Sequence, residues 1–409
     1  MTETAPLWRN RDFVLLQAGQ TLAAAGSSAA NIAYPLLVLA ITHSPSKAGI
    51  VGFAQLLPGL IVSPLAGVAA DHFDRKRLMI VSDILRASAY AALTALIFTS
   101  HVQFWMVALV AFTDTAGATF YSVANTAALR SVVPKAQLPA AAGAVEARRA
   151  AVRLGAPPLG GALFSVARGL PFLANTISFA ASTAALLAMR SPFQEVREVD
   201  TTPFRVRLAE GFRYLWKQPF LRTTAFVYGL GNLVATAVFL LLVVFARRQG
   251  LSGAQTGLLF TVLGIATLVG SVASPLHRRY LGVRTILLLE LWTWAGLWLF
   301  VVWPNVYVLL VAVAAFGLCA PVTDSVVVGY MTAMTPDRLL GRVESSRLTV
   351  ALAVAPFGPL LAGLLAAHVS PRATVAVFAS IAVVLQLWGT LSPAIRGAPS
   401  LGELATLTD

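Results

Sequence analysis

Twelve stretches of this chain run for about 20 residues or more with scarcely a charge, and that pattern leaves few ways to fold. A helix needs about 20 mostly apolar residues to cross a hydrocarbon core of about 30 Å. The stretches are 13–41, 48–70, 78–98, 104–128, 138–166, 171–189, 222–246, 254–276, 285–303, 306–331, 341–367 and 373–391. Inside lipid every backbone N–H and C=O must be bonded within the chain, so such stretches are helices. Composition agrees, with 57% hydrophobic and 11% charged residues, against about 25% charged in a soluble domain. So few charges do not cover a water-facing surface. The sequence predicts an all-α membrane protein with twelve transmembrane helices in the lipid bilayer. The first apolar run is too long for a signal-peptide core and is expected to be the first span.

Basic residues set the orientation. The chain has 30 Lys and Arg against 17 Asp and Glu, a formal charge of +13. They are dispersed through loops rather than gathered in one patch, which argues for topology control and against nucleic acid. Twenty fall on the side that holds both ends of a twelve-span chain and five on the other. Both termini are therefore expected in the cytoplasm, with the spans in the inner (plasma) membrane.

The chain also repeats itself. Ser63-Pro64-Leu65 precedes the charged loop from Gly67 through Asp71 to Arg75, Lys76 and Arg77. Ser274-Pro275-Leu276 precedes a second loop with Arg278, Arg279 and Arg284, at an offset of 211 that sets Gly282 against Asp71. Val133-Pro134 resembles Thr335-Pro336, and Ala156-Pro157 resembles Gly358-Pro359. The division is expected as an N-terminal six-helix bundle over 1–189, a cytoplasmic linker over 190–221, and a C-terminal six-helix bundle with a short tail over 222–409. In the linker, Phe204, Leu208, Phe212, Leu215 and Trp216 recur at helical spacing among Arg205, Arg207, Arg213 and Lys217. That pattern fits an amphipathic helix on the anionic inner leaflet or one packed on the bundle. Parallel six-helix repeats are a transporter plan with the binding site near the bilayer midplane.

At these residues the chain resembles the major facilitator superfamily. Gly67, Asp71, Arg75 and Lys76 match its loop after span two, while His72 and Asp74 replace the usual Arg and Gly. Asp74, with Asp83 and Arg86 on span three, resembles the branch containing the enterobactin exporter and macrolide efflux proteins. The Gly341-Arg342-Val343 start of span eleven and the linker stretch from Leu215 to Leu221 fit the same branch. The resemblance covers essentially the whole chain. It implies two pseudo-symmetric bundles and a conformational latch in which Asp71 caps the cytoplasmic start of span eleven, where free N–H groups favour a carboxylate. Topology control by Arg75, Lys76 and Arg77 is the plainer role, and both can hold. Gly155, Pro157, Pro158, Gly160 and Gly161 on span five resemble the antiporter motif of the superfamily, with Ala156 in place of a glycine. That motif accompanies export; generic small-residue packing is its alternative.

Ionisable groups inside spans are costly and mark function. Asp114 on span four and Asp324 on span ten lie on helices that line the cavity in this family, and they are the candidates for proton coupling. Static pairing with Ser, Thr or Arg is the alternative for each. Glu290 sits on span nine, which is peripheral in the family. Asp83, Arg86, Glu146, Arg149, Arg153, Glu344 and Arg347 have spacings that permit pairing and suggest a cytoplasmic charge network. Polar stripes carry the cavity candidates: Gln20 and Asn31, with Gln17 and Ser27, on span one, Tyr121 and Asn125 on span four, and Tyr228 and Asn232 on span seven. Such a wall suits an amphiphilic organic molecule, and interhelical hydrogen bonding would use the same residues.

No H-E-x-x-H, Walker lysine loop or G-x-S-x-G occurs, and the one cysteine, Cys319, lies in an apolar run. No enzyme activity, cofactor or metal site is expected. The sequence is therefore expected to encode a monomeric secondary transporter exchanging a small-molecule substrate for protons. Efflux of a macrolide-like drug, siderophore or other secondary metabolite is the first expectation. An uptake permease of the same fold, and a non-transporting scaffold or lipid-handling protein, are the alternatives.

Overall fold

The computed structural model of the protein describes residues 6–191, 193 and 204–399. Among the described residues there is helix and no strand, as lipid requires of an open-chain fold. The helices are α1 (Arg11–Thr42), α2 (Pro45–Ile61), α3 (Ser63–His72), α4 (Arg75–Phe98), α5 (Phe104–Val132), α6 (Leu138–Val166), α7 (Leu170–Ala188) and α8 (Phe204–Lys217). They continue as α9 (Pro219–Arg248), α10 (Gly253–Tyr280), α11 (Val283–Thr293), α12 (Leu297–Val302), α13 (Val306–Met334) and α14 (Asp337–Ala353). The last are α15 (Phe357–His368), α16 (Pro371–Leu391) and α17 (Pro393–Arg396).

By length and composition, 10 segments of the described residues can cross a membrane. The other two predicted runs are explained by their chemistry. One is the α2–α3 pair, interrupted at Val62 just before a helix with Pro in its first turn. The other is α6, whose first half carries Glu146, Arg148, Arg149 and Arg153. A further break divides the predicted span eleven into α14 and α15 at Val354 to Pro356. Pro356 and Pro359 have no N–H to donate, so carbonyls of the preceding turn lose helical partners. Thr236 Oγ1 of α9 donates to one of them, Ala355 O, at 2.8 Å, and Asn232 Nδ2 donates to Ala351 O at the end of α14 at 3.0 Å.

The chain divides into two compact units. The first comprises Met1–His43, Ala54–Asp200 and Leu251–Thr261. In its core Phe13 and Leu16 of α1 pack with Met79 of α4, Ala124 and Ala128 of α5, and Leu186 of α7. Asn10 starts α1 by accepting from Phe13 N at 3.1 Å, and Asp12 of the first turn accepts from the backbone N–H groups of Arg190 and Ser191 at 3.2 and 2.7 Å. The carboxylate thus secures the chain just past α7.

The second unit comprises Ser44–Phe53, Thr201–Gly250 and Val262–Asp409. Phe220 and Leu221 of α9, Leu287 of α11, Val326 and Tyr330 of α13 and Ile395 of α17 build its core. The linker helix α8 packs on α14: Leu215 is buried, Glu210 pairs with Arg342, and Gly211 lies against the Arg342 backbone. Its Trp216 stays exposed. The side chains of Arg205 and Arg207, the linker residues 194–203 and the tail 400–409 lie outside the described residues.

Two close helix contacts, one per unit, follow from glycines. A Cβ on Gly161 of α6 would meet the Gly253 carbonyl and lie 3.1 Å from the Gly257 Cα of α10. A Cβ on Gly363 of α15 would lie 2.8 Å from the Gly49 Cα of α2. Only a residue without a side chain permits backbones this close.

Candidate functional site

In the first unit, three charges from two helices meet inside the membrane. Arg86 of α4 donates from Nε to Asp114 Oδ1 of α5 at 2.8 Å, and its Nη2 lies 2.8 Å from the same oxygen. Nη2 also donates to Ser27 Oγ of α1 at 3.0 Å. Asp83, one turn before Arg86, stands 3.8 Å from Nη1. All three charged groups are buried, Asp83 completely. Among the described residues neither Asp83 oxygen has a hydrogen-bond partner. One guanidinium therefore serves two carboxyls, and its short contacts go to Asp114.

The packing explains this geometry. The guanidinium carbon lies 3.9 Å from the centroid of the Phe179 ring of α7, a cation–π contact in a dry setting. Tyr34, Tyr90, Phe172 and Phe179 continue the aromatic wall, and Tyr34 Oη donates to Tyr90 Oη at 2.7 Å. Gly117, one turn after Asp114, leaves the space that the arginine occupies, since a Cβ there would lie 2.8 Å from Arg86 Cγ and Cδ.

The second unit has a cavity of about 110 Å³ among α9, α11, α13 and α14. Its polar lining includes Tyr228, Asn232, Glu290, Thr323, Asp324 and Arg347. Trp294 and Phe316 supply aromatic wall, with ring centroids 4.4 Å apart. Glu290 is buried, and among the described residues its Oε2 has no hydrogen-bond partner. Arg347 is held by Glu344 in a two-point pair at 2.8 and 2.9 Å. Tyr228 Oη donates to Leu287 O at 3.0 Å. Asp324 is exposed to the open side of this space.

The predicted charge network divides in three. Arg86 and Asp83 join Asp114 at mid-helix in the first unit; Glu344 and Arg347 join the cavity in the second. Glu146 and Arg149 form an exposed 3.7 Å pair on α6, with Arg153 exposed further along. The Arg86–Asp114 ion pair is of the kind named as the alternative to coupling for Asp114, pairing with an Arg.

In the loop before α4, Asp74 accepts from Arg77 N at 2.8 Å and caps the helix, which gives the unusual acid a local function. Arg75 Nη1 donates to Phe193 O at 3.2 Å, and Lys76 Nζ to Met189 O at 2.7 Å. Lys76 thereby complements the carbonyl end of α7, and Arg75 holds the chain beyond it. Arg77 is exposed, and a Cβ on Gly67 would meet open space. The Asp71 side chain lies outside the described residues.

In the antiporter-like motif, Gly160 faces the Ala29 backbone of α1 and Gly161 faces α10, while Gly155 has open space beside it. Pro157 and Pro158 sit within α6. Of the cavity candidates, Gln20 donates to Asn125, and Asn31 accepts from Gln55 Nε2 at 2.8 Å. Tyr121 Oη has no hydrogen-bond partner among the described residues. Only Tyr228 and Asn232 of this set line the cavity of the second unit.

Sequence reasoning left open which arginine could pair with Asp114, and it missed the space made by Gly117 and the place of Glu290 on the cavity lining. Gly117 at i+3 from Asp114 was an available signal, because small residues on a polar helix face admit a large partner.

Comparison with known proteins adds three findings. The family model described as Major Facilitator Superfamily matches residues 18–289. The chain is 29% identical over 403 residues to a protein named multidrug efflux pump Tap of Mycolicibacterium fortuitum, covering 93% of this chain and 94% of that one. It is also 29% identical over 157 residues to macrolide efflux protein A of Streptococcus pyogenes, 38% of each. Among solved structures, an inward-facing bacterial homologue of the iron transporter ferroportin superposes with a TM-score of 0.75 at 18% identity. That match covers 94% of this chain and 98% of the other, and it concerns fold.

Proposed function

Because the chain belongs to the major facilitator superfamily, a family of multi-pass membrane transporters of small molecules, we propose that it exports a small amphiphilic compound in exchange for protons. The observation that carries this reading is the similarity along 93% of the chain to a multidrug efflux pump. The chemistry of the helices supports it. Asp114, buried in the first unit, and Asp324, on the lining of the second unit's cavity, offer places to hold a proton inside the membrane, where ionisable groups are retained for function. Asp114 and Asp324 are the proposed coupling groups, and exchange of Arg86 between Asp114 and Asp83 would let the first unit load and release a proton. The protein works as a monomer in the plasma membrane by alternating access between two six-helix bundles, with both termini cytoplasmic.

Transport is tested in everted vesicles from an efflux-deficient host with an imposed proton gradient and a panel of macrolides and dyes. Gradient-driven accumulation is expected. Accumulation only in right-side-out vesicles would make the protein an uptake permease. No movement of any solute in proteoliposomes would favour a scaffold. Unchanged accumulation with Asp114→Asn and Asp324→Asn combined would remove both from coupling. Asp71→Asn is expected to slow accumulation while leaving membrane insertion intact, and an unchanged rate would dismiss the latch.

A further inference from the structure

The Glu290 cavity is built differently from a packing defect. Glu290 is 6% exposed, lies on a helix with an apolar majority, and lines this space, while its Oε2 is sealed from solvent without a hydrogen bond among the described residues. The Thr323 hydroxyl on the same wall is its polar neighbour. A buried carboxylate is retained at such cost only where a proton or a cation completes it. Arg347, the cation on this lining, is already engaged by both oxygens of Glu344. The other acid of the lining, Asp324, adds negative charge. The walls include aromatic groups, Trp294 against Phe316 and Tyr228, whose hydroxyl donates to Leu287 O. An acid surrounded by aromatic faces selects a positively charged nitrogen over a neutral group of the same shape. The volume, about 110 Å³, holds a head group rather than a drug-sized body, since pockets for whole drugs run to about 300–1,000 Å³.

We propose that this cavity in the second unit is a head-group pocket for a protonated or quaternary amine, with Glu290 as its counter-ion and Trp294, Phe316 and Tyr228 as its walls. It deepens the export reading by naming the charged end of the transported amphiphile, and it rests on that reading only for the direction of travel. Arg347 limits the pocket on one side. Its pairing with Glu344 keeps it from neutralising Glu290, so loss of Glu344 should weaken binding without touching the ligand.

The test uses the full-length protein in lipid nanodiscs and two probes of equal shape, benzyltrimethylammonium and its uncharged carbon isostere neopentylbenzene. Equilibrium dialysis is expected to show saturable binding of the cation and none of the isostere beyond lipid partition. Glu290→Gln should weaken cation binding at least about tenfold, the loss expected for one charge-assisted contact. Glu290→Asp should recover part of it, and Glu344→Gln should weaken it less. Each variant is checked for an unchanged melting profile, so that misfolding is not mistaken for lost binding. Equal affinity of the wild type and Glu290→Gln, or equal binding of the two probes, would overturn the pocket. If everted vesicles still accumulated drug, that result would leave the export reading standing. Saturable, Glu290-dependent binding in a protein that exports nothing would leave the pocket and overturn the export reading.

Discussion

Asp114 and Glu290 are both buried carboxyls on membrane-spanning helices, one in each unit, and they are completed in different ways. Asp114 meets a guanidinium at 2.8 Å, with Ser27 and the Phe179 face holding that cation from two other helices. Glu290 faces a cavity whose arginine is already taken by Glu344. The first unit pairs its acid with an arginine, while the second holds a carboxyl on the wall of a cavity without a cation bound to it. A buried pair is costly to break and nearly neutral to replace as a whole. A buried carboxyl facing a cavity costs little to remove and has most to gain from a ligand.

The comparison can be broken most sharply at Arg86. Arg86→Leu leaves Asp114 and Asp83 without their cation and is expected to destabilise the protein by about 3–5 kcal/mol, read as a large fall in melting temperature in detergent. Adding Asp114→Leu should return most of that loss, and a double variant as unstable as the single would show that Arg86 acts elsewhere. A smaller effect is expected from Gly117→Leu, which fills the space of the arginine side chain and should cost about 1–3 kcal/mol. An unchanged melting profile would mean that Arg86 has another rotamer available. The smallest effect belongs to Glu290→Gln, within about 0.5 kcal/mol of the parent or above it, because the change removes a carboxyl and keeps its shape. A loss as large as that of Arg86→Leu would show that Glu290 has a structural partner and erase the contrast.

The fold was legible because lipid imposes one rule on every span. Runs of about 20 apolar residues must be helices, and ten of the segments qualify by length and composition alone. The breaks at Val62 and at Val354 to Pro356 were less legible. Hydropathy averages over a window, whereas a proline removes one specific hydrogen bond. The site was legible in part. Asp114 and Arg86 both stood out as charges in apolar helices, but they are 28 residues apart on different helices, and periodicity within a helix carries no information about which neighbour it faces. Glu290 was given little weight because its helix is peripheral in the family, whereas the cavity it lines is completed by Thr323 and Phe316 of another helix. Asp74 looked like a departure from a motif and proves to be a helix cap.

The glycine contacts have a mechanical consequence. Where Gly161 lies on Gly253 and Gly363 lies on Gly49, backbone meets backbone. Each contact therefore acts as a spacer: the distance between two helix axes is set by backbone rather than by the size of a side chain.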